Sequence, residues 1–240
     1  MRYLILTDIH ANLEALETCL TDAKTRGYDQ TLFLGDLVGY GADPNAVVDV
    51  VRSLKPAAMV RGNHDKVVFG LDQAEGFNAV AKSAAAWMLS TLTPENKKWI
   101  ASLPQGPHVV DELIEICHGS PFDEADARLA LQSSERPLCL FGHTHYPIAF
   151  ELSNGTFSST GPSSEMEARY ELKNSARYLL NPGSVGQPRD GDPRAAYAIV
   201  DTKARHVELL RLMYPVEVAQ KKILEAGLPE VLARRLGAGR

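Results

Sequence analysis

The first 60 residues alternate between strand-like and helix-like segments, and this alternation constrains the fold more than any other feature of the chain. Short apolar runs at 3–6, 31–34 and 57–60 are predicted strands, and helical segments at 13–25 and 44–54 separate them. Short connections of this kind place successive strands parallel in one sheet, with the helices packed on its faces. The N-terminal part of the chain is therefore predicted to be an α/β unit.

The remainder of the chain mixes helices and strands. Segment 74–103 is predicted to be a helical, cap-like insertion, a helix is expected at about 124–133, and 147–213 is predicted to be mostly strands. After a last helix, residues 228–240 read as a glycine-rich, basic tail that frays. No repeat or change in composition divides the 240 residues, so we expect one domain spanning 1–240 with this one insertion.

Composition excludes several classes of protein. A hydrophobic content of 45% and a charged content of 23% are ordinary for a globular chain. No apolar stretch reaches the ~18 residues of a membrane span, and the first apolar run is too short for a signal peptide, so we expect a cytoplasmic protein without a membrane partner. A net charge of −5 argues against nucleic-acid binding by bulk charge. Three cysteines without a CxxC pair fit a reducing compartment and exclude a thiolate zinc site.

Side chains that can bind a metal follow the predicted strands. They are Asp8 and His10 after the first strand, Asp36 after the second, Asn63 and His64 after the third, and His118, His143 and His145 after later strands. Because the carboxyl ends of strands line the ligand crevice of an open α/β sheet, we expect these residues to converge. If the backbone is extended, the side chains of Asp8 and His10 point to the same side of the strand and can bind one ion together. The same reasoning applies to His143 and His145.

The predicted ligands also indicate which metals the site takes and how many. Oxygen and imidazole donors suit Mn²⁺, Fe, Zn²⁺ or Ni²⁺ better than Mg²⁺ or Ca²⁺. Without His64, seven candidate ligands remain, which are too many for one ion but suffice for two ions if a carboxylate bridges them, and Asp36 is the isolated carboxylate. Two cations about 3.5–4 Å apart are suited to a phosphoryl centre. The sequence therefore predicts a dinuclear metal site for phosphoester chemistry.

These motifs resemble those of the calcineurin-like metallophosphoesterase superfamily. They are Asp8-Ile9-His10, Gly35-Asp36, Gly62-Asn63-His64-Asp65, His118-Gly119-Ser120, Gly142-His143-Thr144-His145 and Asn181-Pro182-Gly183-Ser184. The chain looks like a compact bacterial-type metallophosphatase of the diadenosine-tetraphosphatase-like group, over about residues 1–201. The resemblance implies an α/β (α+β) fold, a four-layer sandwich of two mixed β-sheets flanked by helices.

The resemblance also implies a set of residue roles. Asp8, His10, Asp36 and His145 match the positions that hold the first metal, and Asp36, Asn63, His118 and His143 match those that hold the second. His64 matches the residue that protonates the leaving oxygen. The implied activity is hydrolysis of phosphate mono- or diesters, of nucleotides or dinucleoside polyphosphates, by attack of a metal-bridged hydroxide.

The residues themselves support the same role for His64. It follows Asn63 directly, so it is expected at the metal site but pointing in a different direction. An imidazole near two cations can serve as a general acid, and Asp65 is predicted to orient its other nitrogen. Both residues are therefore candidate catalytic residues.

Several alternatives stay open at this stage. The main interpretation is an enzyme that hydrolyses small phosphoesters. The alternatives are a nuclease or phosphoprotein phosphatase of the same superfamily, or a non-catalytic binding module on this fold. Arg61 and Arg189 either clamp a phosphate or face solvent. Tyr40 either stacks on a base or fills a loop, and Asn12 is better explained as a helix cap than as a substrate contact.

Overall fold

The computed structural model describes residues 1–68, 70, 77–119 and 124–240. The strands are β1 (Arg2–Leu6), β2 (Gln30–Phe33), β3 (Ala58–Met59), β4 (His108–Val109), β5 (Ile114–Ile116), β6 (Leu138–Leu140), β7 (Ile148–Ser153), β8 (Thr156–Thr160), β9 (Glu167–Glu171), β10 (Ala176–Asn181), β11 (Ala195–Asp201) and β12 (His206–Leu212). The helices are α1 (Leu13–Arg26), α2 (Pro44–Ser53), α3 (Asn63–Val67), α4 (Ala79–Thr91), α5 (Pro94–Ala101), α6 (Glu124–Ser133), α7 (Val216–Glu225) and α8 (Glu230–Ala238).

The strands form two six-stranded sheets. The first has the order β3-β2-β1-β11-β12-β9, and the second has the order β4-β5-β6-β10-β7-β8. In the first sheet β1, β2 and β3 are parallel, whereas β1 and β11 are antiparallel. In the second sheet β5, β6 and β10 are parallel, with antiparallel neighbours at both sides. Both sheets are therefore mixed, as the resemblance implied.

Alternation along β1 shows how the layers are arranged. Tyr3 and Ile5 lie in an apolar core with Ile116 and Leu140 of the second sheet, so this core lies between the sheets. The intervening residue Leu4 joins a different core, in which α1, α2, α7 and α8 cover the outer face of the first sheet. Helix α6 packs on the outer face of the second sheet. The order helix, sheet, sheet, helix confirms the four-layer sandwich.

The prediction of a fraying tail at 228–240 is wrong, because helix α8 occupies most of this segment. Leu232, Ala233 and Leu236 are buried against the outer core of the first sheet, and α8 packs on α7. The spacing of these apolar residues fits one helical face, and its burial outweighs the low helix propensity of the nearby glycines.

Segment 74–103 contains α4 and α5 in its described part, and residues 74–76 lie outside the described residues. Both helices pack on α2, where the side chain of Asn45 accepts a hydrogen bond from the backbone N–H of Thr93 and donates one to the carbonyl of Thr91. Met88 and Ile100 are buried in the outer core of the first sheet. None of the described helices combines the length and the apolar character that a membrane span requires.

Candidate metal centre

The predicted ligands lie at one edge of the two sheets, each just past the end of a strand. Asp8 and His10 follow β1, Asp36 follows β2, Asn63 follows β3, His118 follows β5, and His143 and His145 follow β6. Since β1, β2 and β3 run parallel, as do β5 and β6, their carboxyl ends meet at this edge. The expected convergence of all seven residues is therefore present.

The first group of candidate ligands consists of Asp8, His10, Asp36 and His145. Each offers one ligand atom, and these atoms lie within 4.8 Å of one another. Nε2 of His145 is 3.2 Å from Oδ1 of Asp8, and Nε2 of His10 is 3.7 Å from Oδ2 of Asp36. All four residues are at most 1% exposed, so this group is almost fully buried.

The second group shares Asp36 with the first and adds His118 and His143, again with ligand atoms within 4.8 Å of one another. Oδ1 of Asn63 is 3.1 Å from Nε2 of His118 and 2.8 Å from Nδ1 of His143. Asn63 and His143 are only partly buried. The second group therefore lies nearer to solvent than the first.

Backbone carbonyls fix the orientation of three of the imidazoles. Nδ1 of His10 lies 3.1 Å from the carbonyl oxygen of Val38, and Nδ1 of His118 lies 2.7 Å from that of Leu34. Nδ1 of His145 lies 2.5 Å from the carbonyl oxygen of Gln187. Because a carbonyl only accepts hydrogen bonds, each Nδ1 must carry the hydrogen. In the neutral ring the lone pair is then on Nε2, which points into the cluster.

These lone pairs face other acceptors. Nε2 of His10 is 3.1 Å from Nε2 of His145. Acceptors at such distances repel each other unless a cation or a proton lies between them. Burial and then the neighbouring His145 lower the pKa of His10 well below its usual value, so this ring is neutral at pH 7. The donor set therefore fits divalent cations better than it fits any pattern of hydrogen bonds.

His118 shows the same demand for positive charge. Burial lowers its pKa, but the carboxylate of Asp36 outweighs burial and raises the pKa to about 10. Burial would likewise raise the pKa values of Asp8 and Asp36, yet the neighbouring histidines lower both, His145 at Asp8 and His118 at Asp36. The site favours ionised carboxylates together with positive charge between them.

Five of the seven candidate ligands have a left-handed backbone. The φ angles are 51° for Asp8 and His10, 54° for Asp36, 73° for His143 and 58° for His145. Such angles cost roughly 1–3 kcal/mol for a non-glycine residue and cluster at functional sites. The expectation of extended backbone at the two pairs is therefore wrong, and His143 and His145 belong to different groups of ligands instead of sharing one ion.

Two motif glycines are required because the backbone passes close to the carboxylates. A Cβ atom at Gly62 would overlap with the carboxylate of Asp36, and one at Gly142 would overlap with Oγ1 of Thr7 and approach Oδ2 of Asp8. The hydroxyl of Thr7 donates to Oδ2 of Asp8 at 2.8 Å. Glycine at these positions lets each loop lie directly on a candidate ligand.

Asp65 has different partners from those predicted. Its carboxylate accepts backbone N–H groups from Gly62 at 2.8 Å, Asp36 at 2.9 Å and Leu37 at 3.0 Å. Burial and the charge of Asp36 raise the pKa of Asp65 to about 7. The hydrogen bonds of the described residues thus tie Asp65 to the loop after β2 and to the start of α3, and not to the imidazole of His64.

His64 lies among aromatic rings. Its ring centroid is 4.9 Å from that of His10, 4.5 Å from that of Tyr40 and 4.4 Å from that of Phe77. The residue is 6% exposed, and burial lowers its pKa to about 4. It lies beside the candidate metal site, outside both groups of candidate ligands.

The two groups open into a cleft of about 320 Å³. Its lining includes Tyr40, His64, Phe77, His143, His145 and Arg189. Arg189 therefore faces the site, whereas Nε of Arg61 donates to the side chain of Gln105 at 3.3 Å outside it. Phe77 was not singled out from the sequence, because no motif or spacing marks it.

The loop at Asn181–Ser184 supports the candidate ligands. Nδ2 of Asn181 donates to the carbonyl of Gly142 at 3.0 Å, and the hydroxyl of Ser184 donates to the carbonyl of Asp8 at 2.8 Å. Asn12 caps α1 by accepting the N–H of Ala15, as expected. The Gln187 carbonyl that holds His145 was missed, since backbone partners leave no mark in a sequence.

Comparisons with known proteins agree with this architecture. Residues 1–205 match the calcineurin-like phosphoesterase superfamily domain. The chain is 36% identical over 247 residues to the uncharacterized protein MJ0912 of Methanocaldococcus jannaschii, covering 98% of this chain and 97% of that protein. It is 40% identical to a metallophosphoesterase from Sphaerobacter thermophilus, whose crystal structure superposes with a TM-score of 0.85 over 100% of this chain and 99% of the other.

A more distant structure shows the same fold. The hypothetical protein PH1004 from Pyrococcus horikoshii is 20% identical, with a TM-score of 0.75 over 100% of this chain and 98% of that one. The class of protein that fold and site define is a metallophosphoesterase. The chain belongs to the calcineurin-like phosphoesterase superfamily, which confirms the resemblance found in the sequence and implies a phosphoester hydrolase.

Proposed function

We propose that this protein is a two-cation phosphoesterase that hydrolyses small phosphate mono- or diesters, nucleotides or dinucleoside polyphosphates among them. The observation that carries the proposal is the convergence of imidazole lone pairs and buried carboxylates, exemplified by the 3.1 Å between Nε2 of His10 and Nε2 of His145. Only a cation or a proton satisfies such an arrangement.

We assign the two groups of residues to two divalent ions from the set Mn, Fe, Zn and Ni. Asp8, His10, Asp36 and His145 hold the first ion, and Asp36, Asn63, His118 and His143 hold the second. When bound, two such cations supply positive charge for the phosphoryl oxygens and lower the pKa of a water molecule. Asp36 contributes a carboxylate to both groups and keeps them together.

We assign His64 the role of the general acid. It lines the same cleft as Asn63 and His143, where a bound phosphoester would place its leaving oxygen. Burial keeps the free imidazole neutral, but the negative charge of a phosphate favours the protonated ring, so we expect His64 to hold its proton when substrate is present. Asp65 acts as a positioning residue through its three backbone hydrogen bonds.

We propose in addition that the chain is one domain, spanning 1–240, and that segment 74–103 forms a cap that shapes the cleft. Phe77 and Ala81, in the described part of this segment, line the cleft beside His64. We also propose a cytoplasmic location, because three cysteines without a CxxC pair suit a reducing compartment.

The first experiment is a substrate and metal panel. The chelated protein is assayed on phosphomonoesters, phosphodiesters and dinucleoside polyphosphates with Mn²⁺, Ni²⁺, Zn²⁺ or Mg²⁺. We expect hydrolysis to return with a transition ion and to be faster on small esters than on single-stranded DNA or RNA. Faster cleavage of the nucleic acids would favour a nuclease, and no hydrolysis with any ion would contradict the proposal.

The second experiment separates general acid from ligand. His64→Ala is expected to keep both ions and to lose about 10²-fold or more of kcat, the usual contribution of a positioned acid. His108→Ala, at an exposed histidine of β4, serves as the matched control and is expected to change neither value. Loss of bound metal in a folded His64→Ala protein would make His64 a ligand.

A further inference from the structure

Two arginines lie against the ring of Tyr40 at the edge of the cleft. The Cζ atoms of Arg189 and Arg235 are each 5.8 Å from its ring centroid, and Nη2 of Arg189 is 3.5 Å from its hydroxyl oxygen. Arg189 follows the loop at 181–184, whereas Arg235 belongs to α8, beyond the residues matched by the family domain. Two distant parts of the chain thus each place a guanidinium group against Tyr40, and Arg189 also lines the cleft.

Neither guanidinium forms an ion pair with a side-chain carboxylate of the described residues. Arg189 donates to Oε1 of Gln187 at 3.0 and 3.2 Å, and Nε of Arg235 donates to the main-chain oxygen of Arg240 at 2.7 Å. Both arginines are half-buried, and burial followed by the charge of Arg189 lowers the pKa of Arg235.

The carboxylates nearest in sequence to Arg189 are already engaged. Asp190 pairs with Arg211, and Asp192 pairs with Arg194 and Arg211. Two neighbouring, partly desolvated positive charges repel each other, and a bound anion would remove this repulsion.

The positions of Arg189 and Arg235 relative to the candidate ligands indicate which part of a substrate the two guanidinium groups can reach. The ring of Tyr40 lies 4.7 Å from the ring of His10 on one side and 5.8 Å from each guanidinium carbon. Tyr40 therefore contacts both a candidate ligand and the two guanidinium groups. Arg189 nevertheless lines the same cleft as His145, so one substrate molecule can reach both places.

We propose that Arg189 and Arg235 form a subsite for a second phosphate of the substrate, so that the enzyme prefers phosphoesters that carry one. The inference rests on the proposed function, because it places the scissile phosphate at the two-cation centre. Guanidinium groups suit this role because they bind phosphate oxygens through paired N–H donors. Substrates with a single phosphate would use the metal centre alone.

Binding to the Mn²⁺-loaded protein tests the subsite without requiring turnover. Calorimetry compares adenosine 5′-monophosphate with adenosine 5′-(α,β-methylene)diphosphate, whose bridging carbon resists hydrolysis. We expect the two-phosphate ligand to bind about tenfold more tightly than the one-phosphate ligand. Arg235→Gln is expected to remove this difference while leaving the affinity for the monophosphate unchanged, and Arg235→Lys is expected to restore part of it.

Arg234→Gln is the matched control. Arg234 precedes Arg235 on α8, has a side chain that is 72% exposed and pairs with Glu230 on the surface, so its replacement should change neither affinity. Equal affinities of the two ligands for the unmodified protein, or an equal loss of both in Arg235→Gln, would overturn the subsite. A retained preference in a protein that hydrolyses no ester with any metal would instead contradict the proposed function and leave the subsite standing.

Discussion

The two groups of candidate ligands share Asp36 but differ in charge and in burial. The first group contains two carboxylates and is almost fully buried, whereas the second contains one carboxylate and the neutral amide of Asn63 and is more exposed to the cleft through His143. More negative charge at lower dielectric holds a cation more tightly. The comparison therefore predicts one firmly held ion and one that exchanges more readily.

The difference in burial between the two groups also indicates which metal position would contact the substrate. The cleft is lined by members of both groups, but the exposed side chains belong to the second. An ion held at the second position has more room for substrate oxygens or water, as open coordination positions in catalytic sites require. The buried first position fixes the geometry that the second uses.

The largest expected effect comes from Asp36→Asn, which removes the one carboxylate that both groups share. Activity should fall by roughly 10³-fold or more, exceeding the 10²–10³ typical of one lost electrostatic donor, because both cations lose a ligand. Bound metal, measured by elemental analysis, should fall below one ion per chain. The amide oxygen can still accept the N–H of His64, so the fold should persist.

Asp49→Asn is the control for that variant. Asp49 lies on α2 with a side chain that is 57% exposed, and it pairs only at the surface with Arg52. Neither activity nor metal content should change in this protein. Retention of two ions by Asp36→Asn would mean that the two metal positions do not depend on a shared carboxylate, which would contradict the role given to Asp36.

An intermediate effect is expected from replacing one histidine in each group. His143→Asn should leave about one ion per chain after dialysis against a weak chelator, because the buried first group is intact. His145→Asn should lower the affinity for that remaining ion, since it removes a ligand 3.2 Å from Asp8. Elemental analysis of both proteins, prepared side by side, measures the difference; equal metal contents would contradict the asymmetry.

The convergence of the candidate ligands could be predicted from the sequence, for a physical reason. Polar side chains directly after apolar runs are visible without a structure, and the geometry of parallel strands brings them together. Their backbone conformation could not be predicted, because the left-handed angles at Asp8 and His145 are imposed by loops that touch distant parts of the chain. The backbone carbonyls that bind the imidazoles could not be predicted either, because these contacts also join distant parts of the chain.

The pairing of late strands shows a second limit. Strands β9 and β10 follow each other closely in the sequence, yet β9 joins the first sheet and β10 joins the second. Local turn chemistry does not decide which sheet a strand enters, since that choice depends on long-range packing. Helix α8 is a different case. The spacing of Leu232 and Leu236 fits one apolar helical face, but the nearby glycines led to the prediction of a tail instead of a helix.

The smallest expected effect concerns a residue that supports only the first group. The hydroxyl of Ser184 is fully buried, donates to the carbonyl of Asp8 at 2.8 Å and accepts the N–H of Gln187 at 2.8 Å. Gln187 in turn holds the imidazole of His145 through its carbonyl. Ser184→Ala should lower the free energy of unfolding by about 1–3 kcal/mol, because the buried N–H of Gln187 loses its acceptor and the carbonyl of Asp8 keeps only the N–H of Gly186 at 3.0 Å.

The same substitution sharpens the comparison between the two positions. Since both residues that Ser184 supports, directly or through Gln187, belong to the first group, the affinity for the firmly held ion should fall while the exchange of the second stays unchanged. Ser102→Ala removes a hydroxyl that bonds to the carbonyl of Trp99 at an exposed helix end, and it should change stability by less than about 0.5 kcal/mol. Denaturant unfolding and metal titration of the two proteins give both quantities. An equal loss of affinity at both positions would show that Asp36 transmits strain between them, so that the buried and open positions act as one unit.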